Sequence, residues 1–323
     1  MNAIRFGILG AASIANKFVD AIRHVEGARV VSVASRSRER AEAFRARHNL
    51  PFSDDYESLV KRDDIDVVYI ATTQNMHKEN VLMCLNNGKH VICEKAMALS
   101  RADAEEMFAV AEKKNLFLME AMWSRFLPNV QMARKWIMNG AIGEVQSAYA
   151  SVGFLCTQPL GGRIFNPALG GGAMYDIGVY AVEVLSYVVN DNIRSVLSAV
   201  RRHPETGVDE RSMMILRYKN FDCMAEASVS ANVKQFIIVN GTKGRIEIPD
   251  FHVGNTSHLT LFDENRTETY TSEHPGNNGF VYEAREVVSC INEGKRLSET
   301  VPFEATLECA KVFDAVLRGE NAF

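Results

Sequence analysis

The sequence predicts two folded parts. Residues 1–122 read as an α/β domain with a doubly wound parallel sheet, and residues 123–323 as an α+β domain with a large, mostly antiparallel open sheet. Three observations predict this. At 323 residues the chain is longer than one typical core accommodates. Up to about Trp123, short apolar runs alternate with amphipathic stretches, the pattern of βαβ units. Beyond it come successive runs of alternating polar and apolar residues, the pattern of antiparallel strands with one exposed or partner-covered face.

The elements follow in order. Residues 3–9 (AIRFGIL) predict a first strand, and Gly10-Ala11-Ala12 a turn into a helix reaching about His24. Residues 29–34 (RVVSVA) predict a second strand, and 38–47, rich in Arg, Glu and Ala, a helix. A buried strand at 66–71, a helix over 76–87, a strand at 90–93, a helix over 102–114 and a strand at 116–119 complete the first part. Right-handed crossovers make such a series doubly wound. In the second part, a helix over 130–138 precedes a strand at 144–152 and a glycine-rich stretch. Strands are then predicted at 195–201, 211–218, 223–229, 236–239, 245–248 and 259–262, and helices near 280–292 and 304–317.

Composition narrows the classes. With 47% hydrophobic and 24% charged residues the chain is an ordinary globular one. A net charge of -4 gives no electrostatic case for nucleic acid or an anionic membrane surface. No apolar run is expected to approach the roughly 18 residues of a membrane span. The N-terminus runs straight into a strand pattern without a targeting segment, so a cytoplasmic location is expected. The six cysteines (Cys84, Cys93, Cys156, Cys223, Cys290, Cys309) are scattered without a CxxC pair, and read as reduced thiols rather than metal ligands. No metal site is expected.

The first strand-helix junction carries Gly10, Ala12, Ser13, Ile14 and Ala15. Gly10 supplies the tight turn, and the helix N-terminus offers N–H groups and a favourable dipole to a phosphate. Ala12 and Ala15 stand where a dinucleotide-binding turn has its later glycines, so GxAxxA alone is a weak motif. At the end of the second strand stand Ser35, Arg36, Ser37 and Arg38, without the carboxylate that usually receives the ribose 2′-hydroxyl of NAD. A hydroxyl and guanidinium groups suit a 2′-phosphate, which favours NADP while leaving NAD possible. The plain alternative makes Arg36 and Arg38 solvated helix-start residues. Thr72, Thr73, Asn75 and His77 follow the strand at 66–71, at the edge where open α/β sheets bind ligands. Thr72, Thr73 and Asn75 suit cofactor ribose or phosphate. His77 serves either the cofactor or the next helix.

Two further constellations carry chemistry. In GKHVICEKA (88–96) an apolar strand runs directly into Glu94 and Lys95. A lysine at a strand mouth is costly unless paired or used, and it can lower a neighbour's pKa. The second is Gly170-Gly171-Gly172, followed by a periodic stretch that sets Asp176 and Tyr180 four residues apart on one helix face. The alternative there is a capping carboxylate and a packed tyrosine.

The stretch from Thr72 to Ser100 resembles the signature of the Gfo/Idh/MocA oxidoreductases, commonly TPNxxHxxxxxxAxxxGKHVxxEKP, and the resemblance spans essentially the whole chain. It implies that Lys95 lies beside nicotinamide and substrate, with Glu94 at the cofactor. In the family the Lys-Pro bond is often cis, and here Ala96 replaces the proline. The GGGxxxDxGxY pattern ending at Tyr180, with the stretch from Glu120 to Pro128, resembles the branch of dimeric dihydrodiol dehydrogenases, D-xylose dehydrogenases and glucose-fructose oxidoreductases. That resemblance implies a catalytic group of Lys95, Asp176 and Tyr180, with Trp123, Arg125 and Phe126 bordering the substrate cleft. Arg163, Phe165 and Asn166 are weaker substrate candidates. A packing role is the alternative for Trp123, Arg125 and Phe126.

The expected function is hydride transfer between nicotinamide C4 and a secondary alcohol or hemiacetal carbon of a sugar, polyol or cyclic diol. Lys95 and Tyr180 form the acid/base pair, and their roles are exchangeable. The rival readings are an NADP-binding sensor without turnover and an NAD-dependent glycosidase of the same family. A sensor should lack the Lys-Asp-Tyr set. The glycosidase branch usually has a histidine at position 180 and an acidic residue near position 36. A homodimer through the C-terminal sheet is expected, since related members pair through such a face.

Overall fold

A computed structural model describes residues 3–319. Among them the chain divides into two compact units. The first comprises residues 3–98, 102–123 and 274–306, and the second 99–101, 124–273 and 307–319.

The sheet of the first unit has β1 (Ile4–Leu9), β2 (Ala28–Ala34), β3 (Phe52–Asp54), β4 (Val67–Ile70), β5 (His90–Glu94) and β6 (Leu118–Ala121). All pair in parallel, in the order β3-β2-β1-β4-β5-β6. Strand order reverses between β1 and β4, and the carboxyl ends there form the ligand crevice of such sheets. The helices are α1 (Ser13–Ile22), α2 (Arg38–His48), α3 (Tyr56–Lys61), α4 (His77–Asn86) and α5 (Arg101–Lys114). In α1, Ala15, Phe18, Val19 and Ile22 recur at helical spacing and are buried. Phe18 stacks on Tyr69 of β4 with ring centroids 3.8 Å apart. The expected strands and helices are all present. β3 and α3 are additional, too short to show a periodicity in the sequence.

The second unit contains α6 (Pro128–Met138), β7 (Val145–Gly153), α7 (Val179–Val189), β8 (Ser195–Arg202), β9 (Asp209–Arg217), β10 (Asp222–Ser228), β11 (Phe236–Gly241), β12 (Gly244–Pro249), β13 (Thr256–Leu261) and β14 (Arg266–Thr271). The eight strands run in the order β14-β13-β12-β11-β7-β10-β9-β8. Every pair is antiparallel except β7 with β10. β14 was not expected, because its TETYT alternation has polar residues on both faces.

Residues 274–306 depart from the expected division at 123. The helix α8 (Phe280–Asn292) packs on α1 within the first unit. Asn278 Nδ2 donates to the Lys17 carbonyl at 2.7 Å, and Arg296 accepts the Leu118 amide at 3.2 Å. Its buried face (Phe280, Val281, Ala284, Val287, Val288) needs an apolar partner, and the amphipathic α1 is one. A last helix, α9 (Phe303–Phe313), ends in a π-helical turn at Asp314–Arg318.

The length expectation for apolar runs also needs correction. The helical stretch Pro167–Val189 has 23 residues and a window of mean hydropathy 1.2, enough for a membrane span by length and composition. That window is wholly buried inside the protein, as a core helix is.

Candidate active site

In the first unit the crevice is built from the carboxyl ends of β1, β4 and β5. Gly10 has φ of +111° and donates its N–H to Ala34 O at 2.9 Å. A Cβ there would lie 2.7 Å from the Ala71 carbonyl oxygen, so only glycine fits the turn. Ala12 has extended backbone at the N-cap of α1, where no side chain caps the helix. The first N–H groups, from Ser13 and Ile14 onward, thus meet no side-chain acceptor from the cap.

At the end of β2, Ser35 Oγ accepts the Ser37 N–H at 3.2 Å, and Ser37 caps α2 through Arg40 N. Arg36 and Arg38 are exposed. The neighbouring carboxylate, Asp54 on β3, is turned inward, accepting from Ser32 Oγ at 2.5 Å and pairing with Arg62 at 3.4 Å.

Beyond β4, Thr73 is half-buried and Asn75 exposed. Thr72 Oγ1 accepts from Asn80 Nδ2 at 3.0 Å. His77 is buried, with Nε2 3.1 Å from the Thr72 carbonyl oxygen and Nδ1 2.8 Å from that of Ala96. Its ring therefore links the end of β4 to the residue after Lys95, and the Lys95–Ala96 peptide is cis. Glu94 is buried and accepts from the Tyr69 hydroxyl at 2.5 Å. Burial pushes its carboxyl up, opposed by the Tyr69 hydrogen bond and the Lys95 ammonium. Lys95 itself is half-buried. Two acidic residues that the sequence reading missed stand by this segment. Glu120 Oε1 accepts the Met97 N–H at 2.8 Å, and Oε2 accepts from Thr306 at 2.8 Å. Glu283 of α8 is fully buried and held well above the usual carboxylate range, first by burial and then by the charge of Glu94. It was invisible because its stretch of chain was assigned elsewhere. Trp123 is buried and stacks on Phe280 with centroids 4.8 Å apart.

In the second unit, Gly172 has φ of +118°, and a Cβ on it would lie 2.0 Å from Asp209 Oδ1. The close approach that Gly172 allows is to a carboxylate of the protein, and that of Gly171 is to the backbone carbonyls of Arg163, Ile164 and Asn166. Asp209, also missed, is buried; its Oδ2 accepts the Met174 N–H at 2.7 Å, and burial raises its pKa to about 6. Met174–Gly178 forms a π-helical turn that leads into α7 and carries Asp176. Asp176 is buried and pairs with Arg163 Nη2 at 2.7 Å, which brings two expected site residues together. Tyr180 is buried beside His252, with ring centroids 5.1 Å apart. Phe165 packs against His203 at 5.3 Å, and Asn166 Oδ1 accepts the Ala168 N–H at 3.0 Å. Phe126 is buried, and Arg125 is buried in an ion pair with Glu183. Among the described residues, no group of three or more His, Cys, Asp or Glu side chains is arranged to hold a metal ion.

Comparison with known proteins agrees with this architecture. Residues 4–122 match the family model of the Gfo/Idh/MocA oxidoreductases with an NAD-binding Rossmann fold, and residues 130–247 match that of the Gfo/Idh/MocA C-terminal domain. The trans-1,2-dihydrobenzene-1,2-diol dehydrogenase of Xenopus laevis is 36% identical over 324 residues, covering 98% of this chain and 97% of that one. The protein of the same name in Mus musculus is 34% identical over 325 residues, covering 97% and 95%. A 3-ketoreductase from Actinomadura kijaniata, solved with NADP and TDP-benzene, has a TM-score of 0.88 at 26% identity, covering 98% of both chains. On both family models and on identity sustained over nearly its full length, the chain belongs to the Gfo/Idh/MocA family of oxidoreductases.

Proposed function

We propose that the chain transfers a hydride reversibly between the nicotinamide C4 of NADP and a secondary alcohol carbon of a cyclic diol, polyol or sugar. The observation that carries this reading is Lys95, half-buried directly after the buried Glu94 at the carboxyl end of β5 in a Rossmann sheet. Relatives named as a diol dehydrogenase and a ketoreductase support alcohol-carbonyl chemistry on small substrates.

The first unit suits a dinucleotide. Its glycine turn leads into a helix without a side-chain cap, so N–H donors stand where an anion binds. Gly10, Ala12, Ser13 and Ile14 would hold the pyrophosphate. Ser35, Arg36 and Arg38 would hold a 2′-phosphate, which the inward-turned Asp54 does not oppose. Thr72, Thr73, Asn75 and Glu94 would line the ribose and nicotinamide side, with His77 fixing the backbone between them. When bound, the cofactor supplies the hydride acceptor or donor.

The protein's own work is the proton. A tyrosine hydroxyl ordinarily titrates near 10, too high for a base at neutral pH, and an ammonium group near it favours the phenolate. In the oxidation direction Tyr180 takes the substrate hydroxyl proton, and in reduction it returns it. Lys95 polarises the substrate oxygen and completes the acid/base pair. Asp176, its carboxylate fixed by Arg163, orients the substrate.

The test is a screen of diols, inositols, aldoses and dicarbonyls with NADPH and NADH in parallel, on wild type and Lys95→Ala. Lys95→Ala should lose most turnover while still binding NADP. Near-normal turnover in that variant sinks the assignment, and cofactor binding with no turnover on any substrate favours a sensor instead.

We propose in addition that a second copy covers the outward face of the eight-stranded sheet. There Leu197, Met213 and Met224 are 56%, 46% and 55% exposed, around an open hollow of about 400 Å³ that Ile215 and Phe236 also line. Light scattering should give about twice 36.0 kDa, and Met213→Lys should shift it to the monomer. A wild-type monomer refutes the pairing.

A further inference from the structure

Arg125 was expected at the substrate cleft. In the structure it is 4% exposed, with Nη2 2.7 Å from Glu183 Oε2 on α7, and Glu183 is 1% exposed. Glu183 follows Tyr180 by three residues and Asp176 by seven, and Tyr187 follows Glu183 by four. These four side chains form one stripe along the helix. Charged and aromatic side chains meet this stripe. Arg163 pairs with Asp176, and His252 packs on Tyr180. The Arg125 guanidinium lies 5.3 Å from the Tyr187 ring centroid. Arg134 lies over the same ring at 4.4 Å and donates to the Tyr187 carbonyl. The rest of α7 is Val179, Ala181, Val182, Val184, Leu185, Ser186, Val188 and Val189, buried on every side.

The apolar residues of α7 hold it by burial, which is non-directional and specifies its rotation weakly, and Ser186 Oγ adds one hydrogen bond to the Tyr218 hydroxyl at 3.0 Å. Apolar contacts tolerate exchange among residues of similar size. A buried ion pair with its charged atoms 2.7 Å apart loses attraction as rotation of the helix separates them. We infer that Arg125 and Glu183 are positioning residues that fix the rotation of α7, and through it the aim of Tyr180 and Asp176, rather than substrate contacts. The inference rests on the acid/base reading of Tyr180. A buried ion pair can often be replaced by well-packed apolar residues without loss of stability, whereas removing one partner strands the other charge. That asymmetry separates positioning from folding.

The experiment compares Arg125→Met, Glu183→Leu, the double variant and Tyr180→Phe in the full chain. Unfolding temperature, kcat, KM for alcohol and cofactor, and the pH profile of kcat are measured for each. The single variants should unfold at lower temperature. The double variant should regain the wild-type unfolding temperature, yet lose kcat by about 100-fold, the scale of a displacement near 1 Å, with cofactor KM unchanged. Wild-type kcat in a stable double variant overturns the inference, and so does a change confined to the alcohol KM, which marks a substrate contact. Should the double variant fail to fold, Glu183→Asp decides. It keeps the charge and withdraws it by one methylene, so kcat should fall at an unchanged unfolding temperature, and full kcat overturns the inference. Retained turnover in Tyr180→Phe sinks the catalytic reading itself. Lost turnover there, beside full activity in the pair variants, sinks only the positioning role.

Discussion

Replacing Asp209 with asparagine should remove a pH dependence of stability that can be worked out from its surroundings. Asp209 is the first residue of β9, buried, with Oδ2 accepting from Met174 N at 2.7 Å and Ser212 Oγ at 3.3 Å. Burial raises its pKa from 3.8 to about 6, against the pull of those two hydrogen bonds. Because the folded value is the higher one, the folded chain binds this proton more tightly than the unfolded chain. The stabilisation is therefore complete below about pH 4 and is lost as pH rises through about 6. A rise of about two units at 1.36 kcal/mol each amounts to about 3 kcal/mol in all. Roughly 1.4 kcal/mol of it falls between about pH 5 and pH 7.5, where unfolding is practical to measure. Asparagine keeps an oxygen for the Met174 N–H and carries no titrating proton. Urea unfolding of both proteins across that range should show the wild-type advantage shrinking by about this amount as pH rises. A difference that stays flat with pH would refute the argument. Since Met174 opens the turn that carries Asp176, the same titration should alter kcat of the wild type more than that of the variant.

Two further outcomes follow from the cofactor side. Gly10→Ala places a methyl group 2.7 Å from the Ala71 oxygen at a φ of +111°, so NADPH binding should weaken at least about tenfold. Nicotinamide fluorescence titration reads this, and an unchanged Kd refutes the role of the turn. Replacing Arg36 and Arg38 together with alanine should raise the KM for NADPH by about tenfold or more while leaving that for NADH nearly unchanged. Equal effects on both cofactors would mean that neither arginine contacts a 2′-phosphate.

What was legible in the sequence is what is local in the chain. Gly10 and Lys95 each sit within a few residues of the strand that places them, so strand, turn and residue type were read together. Asp176 and Tyr180 were legible as one helix face, although a π-helical turn opens that helix. Long-range partners left no such signal. Arg125 and Glu183 are 58 positions apart, and nothing in either neighbourhood announces the pair. Asp209 reads as one more polar strand residue, and only its approach to Gly172 shows why that glycine is needed. Glu283 lies on an amphipathic helix whose pattern is plain, but periodicity says that a face is buried and not against what.

The return of residues 274–306 to the first unit makes the second unit largely an insertion within the first. During synthesis β1 to β6 and α1 are complete long before α8 emerges, since residues 124–273 intervene. Until then the α1 face that receives α8, and the Trp123 face that receives Phe280, stay open to solvent and to other chains. A fragment cut after residue 123 would carry the same exposed surface permanently. A soluble cofactor-binding fragment should instead join residues 3–123 to 274–306 through a short linker, and a chaperone that delays collapse would act on the nascent chain in that interval.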